Sequence, residues 1–492
     1  MKYYSTRDVN KEKFESAEVI KQGLAADGGL FIPEAIPEIT KADICEMQKM
    51  SYAERAAKIL SMFLTDYTYD ELIADCKAAY CEDSFPGGAA PLNKVTDSIY
   101  SLELWHGPTA AFKDMALQIM PRLLSRALVK TGENNTALIL VATSGDTGKA
   151  ALEGYKDIER IKIMVFYPVD GVSKVQKLQM ATQTGNNVNV YAIKGNFDDA
   201  QSGVKKIFSD KTAAEKLLES GYILSSANSI NWGRLVPQIV YYVSAYCDML
   251  ERGDIEYGET VNVCVPTGNF GNIFAAYIAK LMGLPLAKLI CASNSNNVLT
   301  NFLESGTYDR NRKFYTTMSP SMDILISSNL ERLLCFAAGE EKTAGYMAEL
   351  ASTGKYTVDA ETKAAIDATF VGFCADEAET ASTLKAFYTN NGYLADTHTS
   401  VALNCAEKYA KKYNDGKKII VASTASPYKF AADVYKSITD TPADSDTSAL
   451  DQLSELTGTE ISYPLRNLTE RKVNFDTVID PAEMLDVVYK FM

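Results

Sequence analysis

The sequence predicts an α/β protein whose core is an open parallel sheet. Apolar, β-rich runs such as "TALILVA", "IKIMVFYPVD", "NVNVYAI", "TVNVCVP", "KLICAS" and "KKIIVAS" alternate with segments of helical periodicity. Runs that are apolar throughout, instead of at every second residue, belong to strands buried on both faces, the parallel arrangement. Glycines punctuate the strand-to-helix junctions, as at Gly145, Gly148, Gly268 and Gly271. At 492 residues the chain exceeds what one hydrophobic core serves, so more than one unit is expected.

Taken in order, residues 1–90 read as a mostly helical domain. A turn-rich "GLAADGGLFIPEAIPE" precedes apolar periodicity in "ADICEMQKMSYAERAAKILSMFL", and "PGGAAP" reads as a boundary loop. Residues 91–440 form the α/β core, with a smaller lobe at about 137–220. In the core, Val261–Val265 and Ile419–Ala422 read as strands, and Phe274, Tyr277, Ile278 and Leu281 make one helical stripe. An insertion at about 301–389 lacks the alternation and reads as further helix. The polar run "TPADSDTS" reads as a surface loop opening a C-terminal extension, 441–492.

Apolar residues make up 47% of the chain and charged residues 23%, the profile of a globular protein. The net charge of −14 and the lack of a basic cluster exclude a nucleic-acid binder, so an anionic ligand must be drawn by local donors. Nine cysteines without a CxxC pair, beside only two histidines, argue against a metal site and for free thiols in a reducing compartment. The charged "MKYYSTRDVNKEKFE" has no apolar leader, and no run approaches a membrane span. A soluble, cytoplasmic protein is expected, monomer or dimer.

In open α/β sheets ligands lie beyond the carboxyl ends of the strands, and three junctions there carry unusual residues. In "VPTGNFGNIF", Gly268 and Gly271 free the backbone amides of a helix N-terminus to turn toward an anion; the alternative is a plain connection capped by Asn269 or Asn272. The spacing is neither GxGxxG nor GxxxxGK[ST]. In "ATSGDTGKAAL", Ser144, Asp146 and Thr147 suit a carboxylate or phosphate, or Asp146 or Thr147 merely caps the helix. In "VASTASPYKF", the hydroxyls of Thr424 and Ser426 can meet a heteroaromatic nitrogen, while Pro427 as a first helical residue is the mundane reading.

Lys113, in "LWHGPTAAFKDMALQ", sits in a dry Gly-Pro loop with only Asp114 at hand as a partner. An amine that condenses with an aldehyde must spend time unprotonated, which desolvation or a cationic neighbour favours over a tight carboxylate partner. His106 and His398 lie in turn-like contexts and read as a general base or a structural hydrogen-bonder.

Together these segments resemble the threonine synthases, pyridoxal-phosphate enzymes of fold type II. "GLAADGGLFIPEAIP", "LELWHGPTAAFKDMALQ", "ATSGDTGKAAL", "SSANSINWGRL", "VPTGNFGNIFAAYIAKLMGLP", "YLADTHTSVAL" and "VASTASPYKFAADV" occur in family order over nearly the whole chain. The resemblance implies a two-lobed core with Lys113 bound to pyridoxal 5'-phosphate. It places Gly268, Asn269, Phe270, Gly271 and Asn272 on the cofactor phosphate and Thr424 at the ring nitrogen. It further implies that O-phospho-L-homoserine and water give L-threonine and phosphate, with Lys113 the base for several proton transfers. Ser144 and Thr147 are nominated for the substrate's carboxylate or phosphate, Asp146 for shaping the loop, and Asn231 and Arg234 for the leaving phosphate. A surface ion pair is the other reading of Arg234.

Many family members read "TAHPAKF" where this chain has "TASPYKF", so Ser426 stands for a histidine and Tyr428 for a small residue; Thr424 is unaffected. Two other functions share the scaffold: an O-phosphohomoserine phospho-lyase releasing 2-oxobutyrate, and a non-catalytic phosphate-ligand sensor.

Overall fold

The computed structural model describes residues 1–170 and 172–492. Its frame is two sheets. The larger runs Phe370–Cys374, Leu286–Ser293, Val261–Pro266, Ile419–Ser423, Ile99–Glu103, Leu92–Lys94, parallel but for the last strand. The smaller runs Val478–Ile479, Val188–Ile193, Ile161–Pro168, Thr136–Ala142, Tyr222–Ser225, parallel throughout. Every residue of Val261–Pro266 and Ile419–Ser423 is buried, because helices cover both faces, and this is what their unbroken apolar runs required.

Between these strands, helix Gly271–Leu281 buries Phe274 and Ile278 completely, but Leu281 at its end is 42% exposed and leaves the expected stripe. The insertion is not purely helical. It contains an antiparallel pair, Thr307–Asp309 with Lys355–Thr357, and Phe370–Cys374 is an edge strand of the larger sheet. The glycine that breaks the apolar run "FVGFC" is needed there: a Cβ on Gly372 would stand 2.9 Å from the Cα of Thr300 on the covering helix.

Residues 1–90 hold helices Ser16–Gln22, Lys41–Met47, Tyr52–Phe63 and Tyr69–Ala79, and the turn-rich opening supplies a two-stranded sheet, Tyr3–Ser5 with Phe31–Pro33. The long periodic stretch splits in two because Ser51 and Glu54 form a capping box that starts a new helix. Buried Arg55 fastens this layer to the core through Ser244 Oγ (2.7 Å) and Asp248 (2.6 Å) on helix Pro237–Glu251.

The C-terminal extension is no appendage. Val478–Ile479 adds an edge strand to the smaller sheet, and Met484, Val487 and Val488 pack with Leu138, Met164 and Phe166 beneath it. The smaller lobe therefore reaches beyond 137–220, taking in Tyr222–Ser225 and this distant strand. Among the described residues no helix is long and apolar enough to cross a membrane. Met484→Ala is expected to destabilise the protein by about 2–5 kcal/mol, measured as a lower urea midpoint by circular dichroism. An unchanged midpoint would mean that the C-terminal helix unfolds apart from the sheet.

Candidate active site

Lys113 follows strand Ile99–Glu103 in a loop shaped by short contacts. Thr109 donates both its N–H (2.8 Å) and its hydroxyl (2.7 Å) to Asp114, and a side chain at Gly107 would strike that carboxylate. The loop lies against the end of strand Ile419–Ser423: Phe112 N–H donates to the Thr424 carbonyl (2.8 Å), and Ser426 N–H to that of Ala110 (3.1 Å). Lys113 is buried, with Nζ 3.0 Å from Asp146 Oδ2 and 3.3 Å from Ser321 Oγ. The expectation that Asp114 alone could pair with it is corrected, because Asp114 is spent on Thr109 and Asp146 takes its place. Burial pushes the amine below the ordinary lysine range; Asp146 opposes this, and the nearby cations Lys429 and Arg234 add to it.

Asp146 opens helix Asp146–Tyr155 without capping it. Thr143 does that work, its Oγ1 accepting from Gly145 N–H (3.0 Å) and Gly148 N–H (2.9 Å). Gly145, at φ 137°, admits no side chain, since a Cβ would stand 2.5 Å from the Gln176 amide carbon. The Asp146 carboxylate receives Lys113, Lys429 Nζ (2.9 Å), Gln176 Nε2 (2.8 Å) and Ser321 Oγ (3.1 Å). Burial disfavours its charge, but the two lysines outweigh burial and hold the carboxyl well below the usual range. Ser144 and Thr147 sit at the mouth of this turn, Ser144 exposed and Thr147 half-buried.

At the glycine-rich junction the helix begins at Gly271 after Phe270 in the left-handed region (φ 63°), and no side chain caps it. Capping by Asn269 or Asn272 is thus ruled out. The Gly268 carbonyl accepts from Ser327 Oγ (2.7 Å), and that of Asn269 from Asn329 N–H and Nδ2 (3.0 Å each). Because a trans peptide opposes its C=O and N–H, pinning these carbonyls turns the amides of Asn269 and Phe270 the other way. With the first-turn amides of the helix they form an anion cradle. Asn272 accepts from the Tyr241 (2.7 Å) and Tyr242 hydroxyls, while its Nδ2 is buried without a partner. Ser321 joins cradle to amine: its hydroxyl meets Lys113, and its carbonyl would stand 2.8 Å from a Cβ on Gly268.

Thr424 follows the central strand, and among the described residues its hydroxyl makes no hydrogen bond. Ser426 is structural, accepting from Tyr428 N–H (3.2 Å) and bonding Ser462 Oγ (2.5 Å) of the C-terminal segment. His398 Nε2 accepts the Ser321 N–H (3.1 Å), so its Nδ1 carries the proton shared with Asp396 (2.9 Å). His106 instead pairs with Glu103 (2.8 Å) and stacks on Trp105.

The "NSINWGR" nominees separate. Asn231 is committed, its Nδ2 donating to the Ile20 carbonyl (2.9 Å) and its Oδ1 accepting from Gly233 N–H (2.8 Å). Arg234 is 4% exposed, bonds the Ala227 carbonyl (2.8 Å), leaves Nε without a partner, and among the described residues has no carboxylate within ion-pair distance. The surface ion pair is therefore excluded. Burial pushes its guanidinium down to about 10. Sequence reasoning missed Lys429, Ser321 and Gln176. Lys429 stands two residues past Pro427 in a junction already singled out, whereas Ser321 lies in the insertion, where no strand end marks it.

Residues 2–80 match the family model "Threonine synthase N terminus", and residues 88–425 match "Pyridoxal-phosphate dependent enzyme". A human protein described as threonine synthase-like 1 is 39% identical over 457 residues, covering 89% of this chain and 60% of the relative. The chain thus spans about three-fifths of such relatives' length. A threonine synthase of Pseudomonas aeruginosa is 37% identical, covering 89% of this chain and 90% of the relative. The pyridoxal-phosphate-bound threonine synthase of Brucella melitensis superposes with TM-score 0.87 at 35% identity, covering 100% of this chain and 98% of that one. The yeast threonine synthase gives 0.88 at 33% identity over 99% and 98%. The two-lobed parallel-sheet core is that of fold type II, and the cofactor is pyridoxal 5'-phosphate. The chain belongs to the pyridoxal-phosphate-dependent enzyme family, in its threonine synthase branch.

Proposed function

We propose that this protein converts O-phospho-L-homoserine and water into L-threonine and phosphate, with Lys113 as the amine that holds pyridoxal phosphate. The observation that carries the reading is Ser321, whose hydroxyl touches the Lys113 amine while its carbonyl closes on Gly268 of the cradle. An uncapped helix turn, a glycine without room for a side chain and the orphaned Asn272 Nδ2 suit a bound phosphate ester. When bound, pyridoxal phosphate supplies an aldehyde for an amine and a ring that draws electrons from the carbons attached there.

The chain's own residues then divide the work. The amides of Asn269, Phe270, Gly271 and Asn272 would hold the cofactor's phosphate beside Gly268, and the Thr424 hydroxyl would meet the ring nitrogen without imposing a charge. Lys113 Nζ, held below the ordinary lysine range by burial and standing 3.0 Å from Asp146 Oδ2, is placed to take and return a proton. Arg234, a buried cation that among the described residues has no carboxylate within ion-pair distance, is assigned the phosphate that leaves the substrate, and Ser144 and Thr147, at the mouth of the helix turn, the substrate's carboxylate. Asp146 positions Lys113, and Asn231 is left to structure. Nine unpaired thiols fit a reducing cytoplasm, where we place the activity.

Borohydride treatment of the holoenzyme is expected to fix the cofactor on the peptide containing Lys113, and Lys113→Ala to lose both that label and turnover. A label elsewhere would overturn the assignment. Formation of 2-oxobutyrate in place of threonine would replace the synthase with the elimination reaction.

Gly268→Ala is expected to weaken cofactor retention, read from the visible absorbance left after dialysis, and to lower the melting temperature, because its Cβ would stand 2.8 Å from the Ser321 carbonyl. Arg234→Met should raise KM for the phosphorylated substrate roughly 10- to 150-fold, the worth of one charged hydrogen bond. Because it also removes an unpaired buried charge, it should not lower stability in urea; an unchanged KM would release Arg234 from the role.

A further inference from the structure

Lys429 lies in the turn Pro427–Phe430, just past Thr424, with its side chain 0% exposed. Its Nζ stands 2.9 Å from Asp146 Oδ1 and 2.9 Å from the Thr109 carbonyl. Two buried amines therefore divide one carboxylate, Lys113 on Oδ2 and Lys429 on Oδ1. If both were ammonium, the pair would exceed its anion by one positive charge, with the Arg234 guanidinium, which bonds only a carbonyl among the described residues, close enough to be felt by Lys113. The other anion facing this loop, Asp114, has both oxygens on Thr109, and burial pushes it up to about 6 against those two bonds. His398 reaches the group only through the Ser321 backbone.

The partners separate the two amines. Lys429 faces two acceptors, a carboxylate and a backbone carbonyl, neither of which can donate. Lys113 faces the same carboxylate and the Ser321 hydroxyl, which can turn its proton toward a nitrogen lone pair. One amine has a setting that suits only a donor, the other a setting that also accommodates a free base. We propose that Lys429 is a positioning residue whose ammonium claims Asp146 and so keeps Lys113 as the uncharged amine able to attack an aldehyde. The proton that Lys113 gives up goes to solvent, and charge in the site returns to balance between Lys429 and Asp146. This rests on the proposed role of Lys113 and adds what makes that amine reactive.

The test is trace acetylation of the full-length protein, freed of cofactor with hydroxylamine, across a pH series with peptides resolved by mass spectrometry. Lys113 is expected to label with a midpoint below that of Lys429 and below that of exposed Lys472. Lys429→Met should raise the Lys113 midpoint by about one pH unit and slow its capture of pyridoxal phosphate near neutral pH about tenfold. Lys429→Arg, which keeps the charge, should restore both. A Lys429 midpoint below that of Lys113 in the unaltered protein overturns the proposal, and this order is decisive even if Lys429→Met does not fold. An unshifted Lys113 midpoint in folded Lys429→Met overturns it as well. If borohydride fixes the cofactor on a residue other than Lys113, the site assignment fails instead, a result that acetylation order does not affect.

Discussion

The site depends on one carboxylate. Asp146 gathers donors from four separate stretches: Lys113 after one central strand, Lys429 after the next, Gln176 in the smaller lobe and Ser321 in the insertion. Water has little access, so each contact is electrostatically stronger than it would be at the surface, and a missing partner would cost correspondingly more. A carboxylate in this position ties Gln176 of the smaller lobe to two amines that follow strands of the larger sheet. The backbone supports it from below, since Gly145 leaves the Gln176 amide its place and Thr143 relieves Asp146 of capping.

Near the Lys113 amine and the cradle the protein keeps buried positive charge that, among the described residues, no carboxylate meets within ion-pair distance. Arg234 and Arg332 are both buried and rest on backbone carbonyls and an asparagine; Arg332 spans the Phe31 (3.0 Å) and Ile230 (2.6 Å) carbonyls and bonds Asn329, which pins the Asn269 carbonyl of the cradle. Burial pushes Arg332 down to about 9. Buried cations without anions cost stability, and they are tolerated where an anion arrives as ligand. In a chain of net charge −14 this is the local attraction that composition demanded. Through Phe31 the N-terminal segment also supports the cradle, although it lies far from it in sequence.

What the sequence revealed follows from how locally each feature is encoded. Central strands such as Val261–Pro266 are buried on both faces and announce themselves as apolar runs; the residues just past them inherit their position from the fold. Lys113, Gly268 and Thr424 were legible for that reason. Edge strands carry less burial and a weaker signal, so "FVGFC", broken by Gly372, passed for helix, and Val478–Ile479 drew no reading of its own within the C-terminal extension. Ser321 and Lys429 are defined by what they meet across hundreds of residues, and no local pattern records that. The capping asparagines failed for a related reason: an uncapped helix start has the same residue types as a capped one, and only the backbone conformation of Phe270 tells them apart.

The last strand of the smaller sheet has a temporal side. Val188–Ile193 finds its outer neighbour only in Val478–Ile479, and Ser426 beside the site finds Ser462. A chain emerging from the ribosome must wait on the order of tens of seconds between making the first partner and the second. Throughout that interval the lobe presents a bare β-edge, the kind of surface that recruits strangers. Closure of this lobe is thus tied to synthesis of a distant segment of the chain, and the order in which the two sheets are completed is set by that separation.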